Sequence, residues 1–211
     1  MGQPLQTPEA LAADLARYRT MVEHAAEGIC VGHPVPSATV RIVRITDEPR
    51  ATFSEADLCS PGEVGEICVS GPQVTREYFR DEDNTRLHKM VDERGALFHR
   101  VGDVGWRDDD GRIWFCGRKS QRVEIEGRAH FTEQVEGPFN ALPSVRRAAF
   151  VGPVVSGRVV PTICVEPMPV KLPHVPGAFV PARLREHARA RVVERVLVVD
   201  RFPVDPRHNA K

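Results

Sequence analysis

Between Trp106 and Phe115 the chain reads Trp-Arg-Asp-Asp-Asp-Gly-Arg-Ile-Trp-Phe, an Asp-Asp-Gly turn set between aromatic flanks. A turn of this kind reverses the chain tightly, and aromatic residues suit the pleated surface on either side. The pattern predicts an antiparallel hairpin and commits the middle of the chain to strands paired with near neighbours.

The surrounding sequence follows the same punctuation. Val40, Ile42 and Ile45 mark a strand from which Arg41 and Arg44 point away. Glu66 to Ser70 forms a second, entered through Pro61-Gly62 and left at Gly71-Pro72. Phe98-His99-Arg100-Val101 leads into Gly102-Asp103. Val74 to Phe79 reads as a helical turn or loop, followed by a polar run from Arg80 to Arg86. Strands spaced in this way predict a small barrel or meander. Ahead of them, Thr7-Pro8-Glu9 has the form of a helix start, and Leu11, Leu15, Tyr18 and Val22 follow at helical spacing until Gly28.

Beyond Gly117 the character is mixed. Val123 to Glu126 is a strand candidate. Thr132 to Leu142 reads as a helix capped by Thr132, with Val135 and Phe139 on one face. Ala148 to Gly152 and Val159 to Val165 read as strands. Glu166 to Pro181 holds five prolines and is expected to be a loop. A basic helix over Ala182 to Glu194 and a strand over Arg195 to Val199 complete a β-α-β-β-α-β order, a small α+β unit.

The balance of 29 basic and 29 acidic residues argues against a general nucleic-acid or anionic-membrane surface, since both need a net basic face. Five cysteines stand at wide spacings without a C-x-x-C, so neither a disulfide framework nor a zinc knuckle is expected. No run of eighteen apolar residues occurs. A reducing cytoplasm is the expected compartment. The eight histidines show no metal-ligand pairing.

Two residues stand out for chemistry. Asp103 follows a glycine at the end of a strand, where a carboxylate can accept both hydroxyls of a ribose diol or merely close a turn. Arg118, fifteen positions on and beyond the hairpin, can return to the same place from the opposite strand. Its guanidinium suits phosphate or ribose, and equally a solvated surface. Spacing leaves both alternatives open.

The order of longer motifs adds a resemblance. GEVGEICVSGPQVTREYF, FHRVGDVGWRDDDGRIWFCGRKSQRVEIEGR and FPVDPRHNAK resemble, in this order, the C-terminal part of the adenylate-forming (AMP-binding) superfamily of acyl-CoA synthetases, luciferases and peptide-synthetase adenylation domains. Within it, CVGHPVP, WFCGRKSQRVE, FTEQVE and FPVDPRHNAK are similar to the β-lactone synthetases of bacterial olefin biosynthesis. The resemblance implies a remnant of the large AMP-binding domain over 1–116, as a distorted β-barrel, and a mobile α+β lid domain over 117–211. It implies ATP and Mg2+, a fatty-acyl carboxylic acid as substrate, and room for assembly with other enzymes of the pathway. Asp103 would orient the ribose with Arg118 in support, Ser120 would be the hinge, and Lys211 would be the catalytic lysine. Lys119 and Arg122 beside the hinge are expected to be solvated.

Departures from the family pattern are also visible. Neither the Thr/Ser/Gly-rich phosphate loop nor the Tyr-Gly-x-Thr-Glu adenine motif occurs, so the chain by itself is expected to be inactive and to begin just after the second motif. Val101 replaces the threonine of the family's Thr-Gly-Asp turn. Gln134 stands where most members have an acid, while Glu136 is kept. Arg207-His208-Asn209 replaces the usual Thr-x-x-Gly pattern before Lys211.

Overall fold

The computed structural model describes residues 20, 23–142, 144–168 and 190–203. It is an α+β structure dominated by strands. Two compact units separate: Gly28–Val123 with Gly127–Glu133, and a second made, among the described residues, of 20, 23–27, 124–126, 134–142, 144–168 and 190–203.

The first unit is one seven-stranded sheet. Its strands are β1 (Ile29–Gly32), β2 (Thr39–Val43), β3 (Thr52–Phe53), β4 (Gly65–Ser70), β5 (Lys89–Asp92), β6 (Leu97–Arg107) and β7 (Ile113–Arg118). The order is β1-β7-β6-β4-β2, with β5 pairing β6 and β3. All ladders are antiparallel except β3 with β5. The sheet stays open, because no ladder joins β1 to β2 at its two ends. The expected barrel is therefore not closed among the described residues. The 11-residue β6 serves three partners in turn, and breaks in register at Glu66/Cys68 and Val104/Gly105 bend the sheet without closing it.

Alternation along β4 splits the core between the two faces of this sheet. Cys68 joins Val43, Phe53, Met90 and Phe98 on one face, where Phe53 and Phe98 meet edge to face at 5.2 Å. Ile67 joins Ile42 and Ile113 on the other. The polar run expected after Arg80 is helix α1 (Glu82–His88). Nothing in it is buried, so no apolar period announces it. Its definition lies at its ends: the Asp81 carboxylate accepts from the Asn84 backbone N–H at 3.0 Å, acids occupy the first turn, and Arg86 and His88 the last.

Strands β8 (Val123–Ile125) and β9 (Arg128–His130) pair as a separate two-stranded sheet, and helix α2 (Thr132–Asn140) follows them. In the second unit, β10 (Val145–Val151) pairs antiparallel with β13 (Thr162–Pro167), which pairs in parallel with β14 (Arg195–Val198). A small ladder joins β11 (Val154–Val155) to β12 (Arg158–Val159). Val135 and Phe139, expected on one helix face, are both 1% exposed. The retained Glu136 is structural, its carboxylate accepting the Phe150 backbone N–H at 2.7 Å. Gln134 donates instead to the Glu27 carbonyl at 3.3 Å. The expected loop begins later than Glu166, since Glu166 and Pro167 end β13. The N-terminal helix start, the proline-rich loop and most of the basic helix lie outside the described residues.

Candidate functional site

The predicted hairpin is formed by β6 and β7, with Trp106 opposite Trp114 and their rings stacked 5.3 Å apart. Asp108 organises the turn between them. Its carboxylate accepts from Trp114 Nε1 at 2.9 Å, from Arg112 Nε at 2.7 Å and from the Arg112 backbone N–H at 2.8 Å. The Trp114 hydrogen bond, followed by those of Arg112, draws the Asp108 carboxyl down to about 2. Sequence alone identified this turn; that its first aspartate ties down both strands emerges from the fold.

At the other end of the same ladder Asp103 stands opposite Arg118. Arg118 Nη1 lies 2.7 Å from Asp103 Oδ1, with the aspartate side chain 26% exposed and the arginine 58%. Each follows a glycine with positive φ, Gly102 at 76° and Gly117 at 124°. These two glycines let the strand ends turn together. A Cβ on Gly117 would also come within 2.3 Å of Thr132 Oγ1. Partial burial raises the Asp103 carboxyl above the ordinary range, and Arg118 offsets part of that rise.

Asp103 also lines a cleft of about 240 Å³ together with Val31, His33, Val40, Ile67, Ile113 and Phe115. A carboxylate at the edge of an apolar wall holds its charge in a weakly screened place. There it accepts hydrogen bonds from a hydroxylated ligand more strongly than in water. Asp103 and Arg118, proposed from spacing, are therefore brought together. Ser120 is exposed in a 3-10 turn, Lys119–Gln121, just after β7. Lys211 lies outside the described residues.

Lys119 and Arg122 differ from expectation. Lys119 is only 12% exposed, with Nζ 3.1 Å from Glu66 Oε1 and donating to the Thr46 carbonyl at 3.0 Å. Glu66 is 2% exposed and also accepts from Arg100 Nε at 3.0 Å and Nη2 at 2.7 Å. Arg100 donates further to the carbonyls of Thr46, Glu48 and Leu87. Arg122 reaches Asp47 from the far side of the turn, and this contact holds the Asp47 carboxyl below its usual range. The reason is geometric: the 3-10 turn folds onto loop 46–48, giving both cations partners that no local sequence rule reveals.

No protein-family model matches the sequence. The chain is 43% identical over 206 residues to an olefin β-lactone synthetase of Stenotrophomonas maltophilia, a match covering 94% of this chain and 37% of that protein. It is 40% identical over 216 residues to one of Xanthomonas campestris, covering 99% and 38%. The chain thus spans somewhat over a third of the length of these curated relatives. Among solved structures it is similar to the amide bond synthetase McbA of Marinactinospora thermotolerans, with a TM-score of 0.66 and 28% identity over 84% of this chain and 34% of that one. It shares its fold with the O-succinylbenzoate coenzyme A synthetase of Bacillus subtilis solved with AMP, at a TM-score of 0.65 and 24% identity over 83% and 33%. No helix among the described residues is long and apolar enough to cross a membrane.

Proposed function

From a chain that belongs to the adenylate-forming superfamily and resembles olefin β-lactone synthetases along nearly its whole length, we propose a part in ATP-dependent carboxylate activation. In this reading the substrate is a long-chain β-hydroxy fatty acid in the cytoplasm. ATP with Mg2+ supplies the adenylate that makes the carboxylate a good acyl donor. The acid's own hydroxyl then closes the β-lactone. Identity of 40–43% to lactone-forming relatives, against 28% to an amide-forming one, favours this product over an amide.

The observation that carries the reading is the Asp103–Arg118 pair at the edge of the apolar cleft. A ribose diol needs an acceptor held still and facing outward. The half-buried Asp103 carboxylate, with Arg118 on one oxygen, fits that need. Ser120 is the hinge of this reading, residues 117–211 its lid and Lys211 its catalytic lysine, whose ammonium stabilises charge on the α-phosphate in the transition state. The sequence holds no phosphate loop, so these 211 residues alone do not adenylate, and pyrophosphate exchange sits at background.

Titration of the chain with AMP and with its 2′,3′-dideoxy analogue tests the site. A diol on a charged acceptor is expected to be worth about tenfold or more in affinity. Equal binding of the two nucleotides removes Asp103 from the ribose site.

A further inference from the structure

Glu66 carries a different cation on each of its oxygens. Both Arg100 bonds, at 3.0 and 2.7 Å, end on Oε2, and Lys119 Nζ lies 3.1 Å from Oε1. Lys119 adds a second cation to a single buried carboxylate, and both cations donate to the same Thr46 carbonyl. Lys119 is thereby held at two points, the Glu66 carboxylate and the Thr46 carbonyl, with its ammonium largely out of water.

What Lys119 does achieve is visible next door. Arg118 ends β7 and Lys119 begins the turn, and the two side chains go to opposite sides: Arg118 outward to Asp103, Lys119 inward to Glu66. The preceding Gly117 has a φ of 124°, and the last rung of a ladder frays easily. An anchor immediately after Arg118 removes that freedom.

We propose that Lys119 is a positioning residue: its buried anchorage on Glu66 and Thr46 fixes the end of β7, so that the Arg118 guanidinium stays on Asp103 while Ser120, one residue later, is free to turn. This rests on the reading of Asp103 as the ribose-binding carboxylate. The stationary part of the hinge therefore ends at Lys119.

The test uses the full chain and needs no nucleotide. The Asp103 carboxyl is titrated by carbon NMR in wild type, Lys119→Met and Lys119→Arg, and exchange of the Arg118 Nε–H is followed in each. In Lys119→Met, loss of Arg118 from its post is expected to raise the Asp103 pKa by about half a unit or more and to speed Arg118 exchange. Lys119→Arg is expected to restore both. An unchanged Asp103 titration in a folded Lys119→Met overturns the proposal. Should that variant not fold, wild type still decides. Arg118 Nε–H exchanging as fast as that of the exposed Arg76 overturns the proposal, and slower exchange supports it. AMP titration of wild type judges the ribose reading separately, so a chain that binds no AMP yet shows the Asp103 shift fails that reading and keeps this one.

Discussion

Asp103 and Arg118 are separated by a hairpin in sequence and by 2.7 Å in space, as opposed residues of the β6–β7 ladder. Their pairing makes an ionised carboxylate tolerable beside an apolar cleft, at some cost to the fold.

That cost has a sign. Asp103 has a raised carboxyl pKa in the folded chain, so the folded state binds its proton more tightly than the unfolded one. Stability linked to it is fullest below the unfolded value and falls as pH rises through the folded value. Asp103→Asn is therefore expected to leave the melting temperature at pH 7 unchanged or slightly higher. In the proposed ATP-dependent ligase it is expected to weaken nucleotide binding about tenfold or more. Calorimetry on both properties checks this; a variant that melts early and still binds nucleotide assigns Asp103 to the turn alone.

Asp108 behaves in the opposite sense. Its folded carboxyl lies at about 2, below the ordinary carboxylate range, so its contribution is present above the unfolded value and disappears as pH falls from there towards about 2. Asp108→Ala is expected to melt earlier than wild type at pH 7 and to match it near pH 2. Thermal scans following the near-ultraviolet signal of the Trp106–Trp114 stack provide the readout.

Breaking the buried Glu66–Arg100 pair on one side leaves a charge without its partner. Glu66→Gln or Arg100→Met alone is expected to cost about 3–5 kcal/mol in urea unfolding. The double variant should cost clearly less than the sum, because neither charge is then stranded. Additive losses would mean that the two residues act separately.

Lys211 is proposed to act on charge that develops in the transition state. In the proposed ligase, Lys211→Ala should lower the adenylation rate on the order of a hundredfold or more, with nucleotide affinity changed far less. The lactone-closing step, started from preformed acyl adenylate, is expected to survive. An unchanged adenylation rate would place Lys211 outside the site.

Much of the strand framework is local and could be read directly. The Asp-Asp-Gly turn between tryptophans defined the β6–β7 hairpin, and Pro-Gly and Gly-Pro bounded β4. Val135 and Phe139 marked the buried face of α2. Helix α1 was not legible from periodicity, because it buries nothing and its order comes from Asp81 and the charges at its ends. The barrel was expected from strand spacing, but spacing counts strands and does not say whether the first meets the last.

For the site, the sequence by itself determined the residue types and the turn chemistry that make an Asp103–Arg118 encounter feasible: two glycines able to take positive φ, and a hairpin of fixed length between them. Tertiary structure decided the rest. The burial of Glu66, the Lys119 cation on its second oxygen and the Arg122–Asp47 contact join positions 46–48, 66, 100 and 119–122, which only the fold of β4 against β6 and the return of the turn after β7 bring together. A charged residue reads as solvated in any local window, because water is the cheapest partner for a charge. Only when packing removes the water does the fold have to provide another, and that requirement has no local signature.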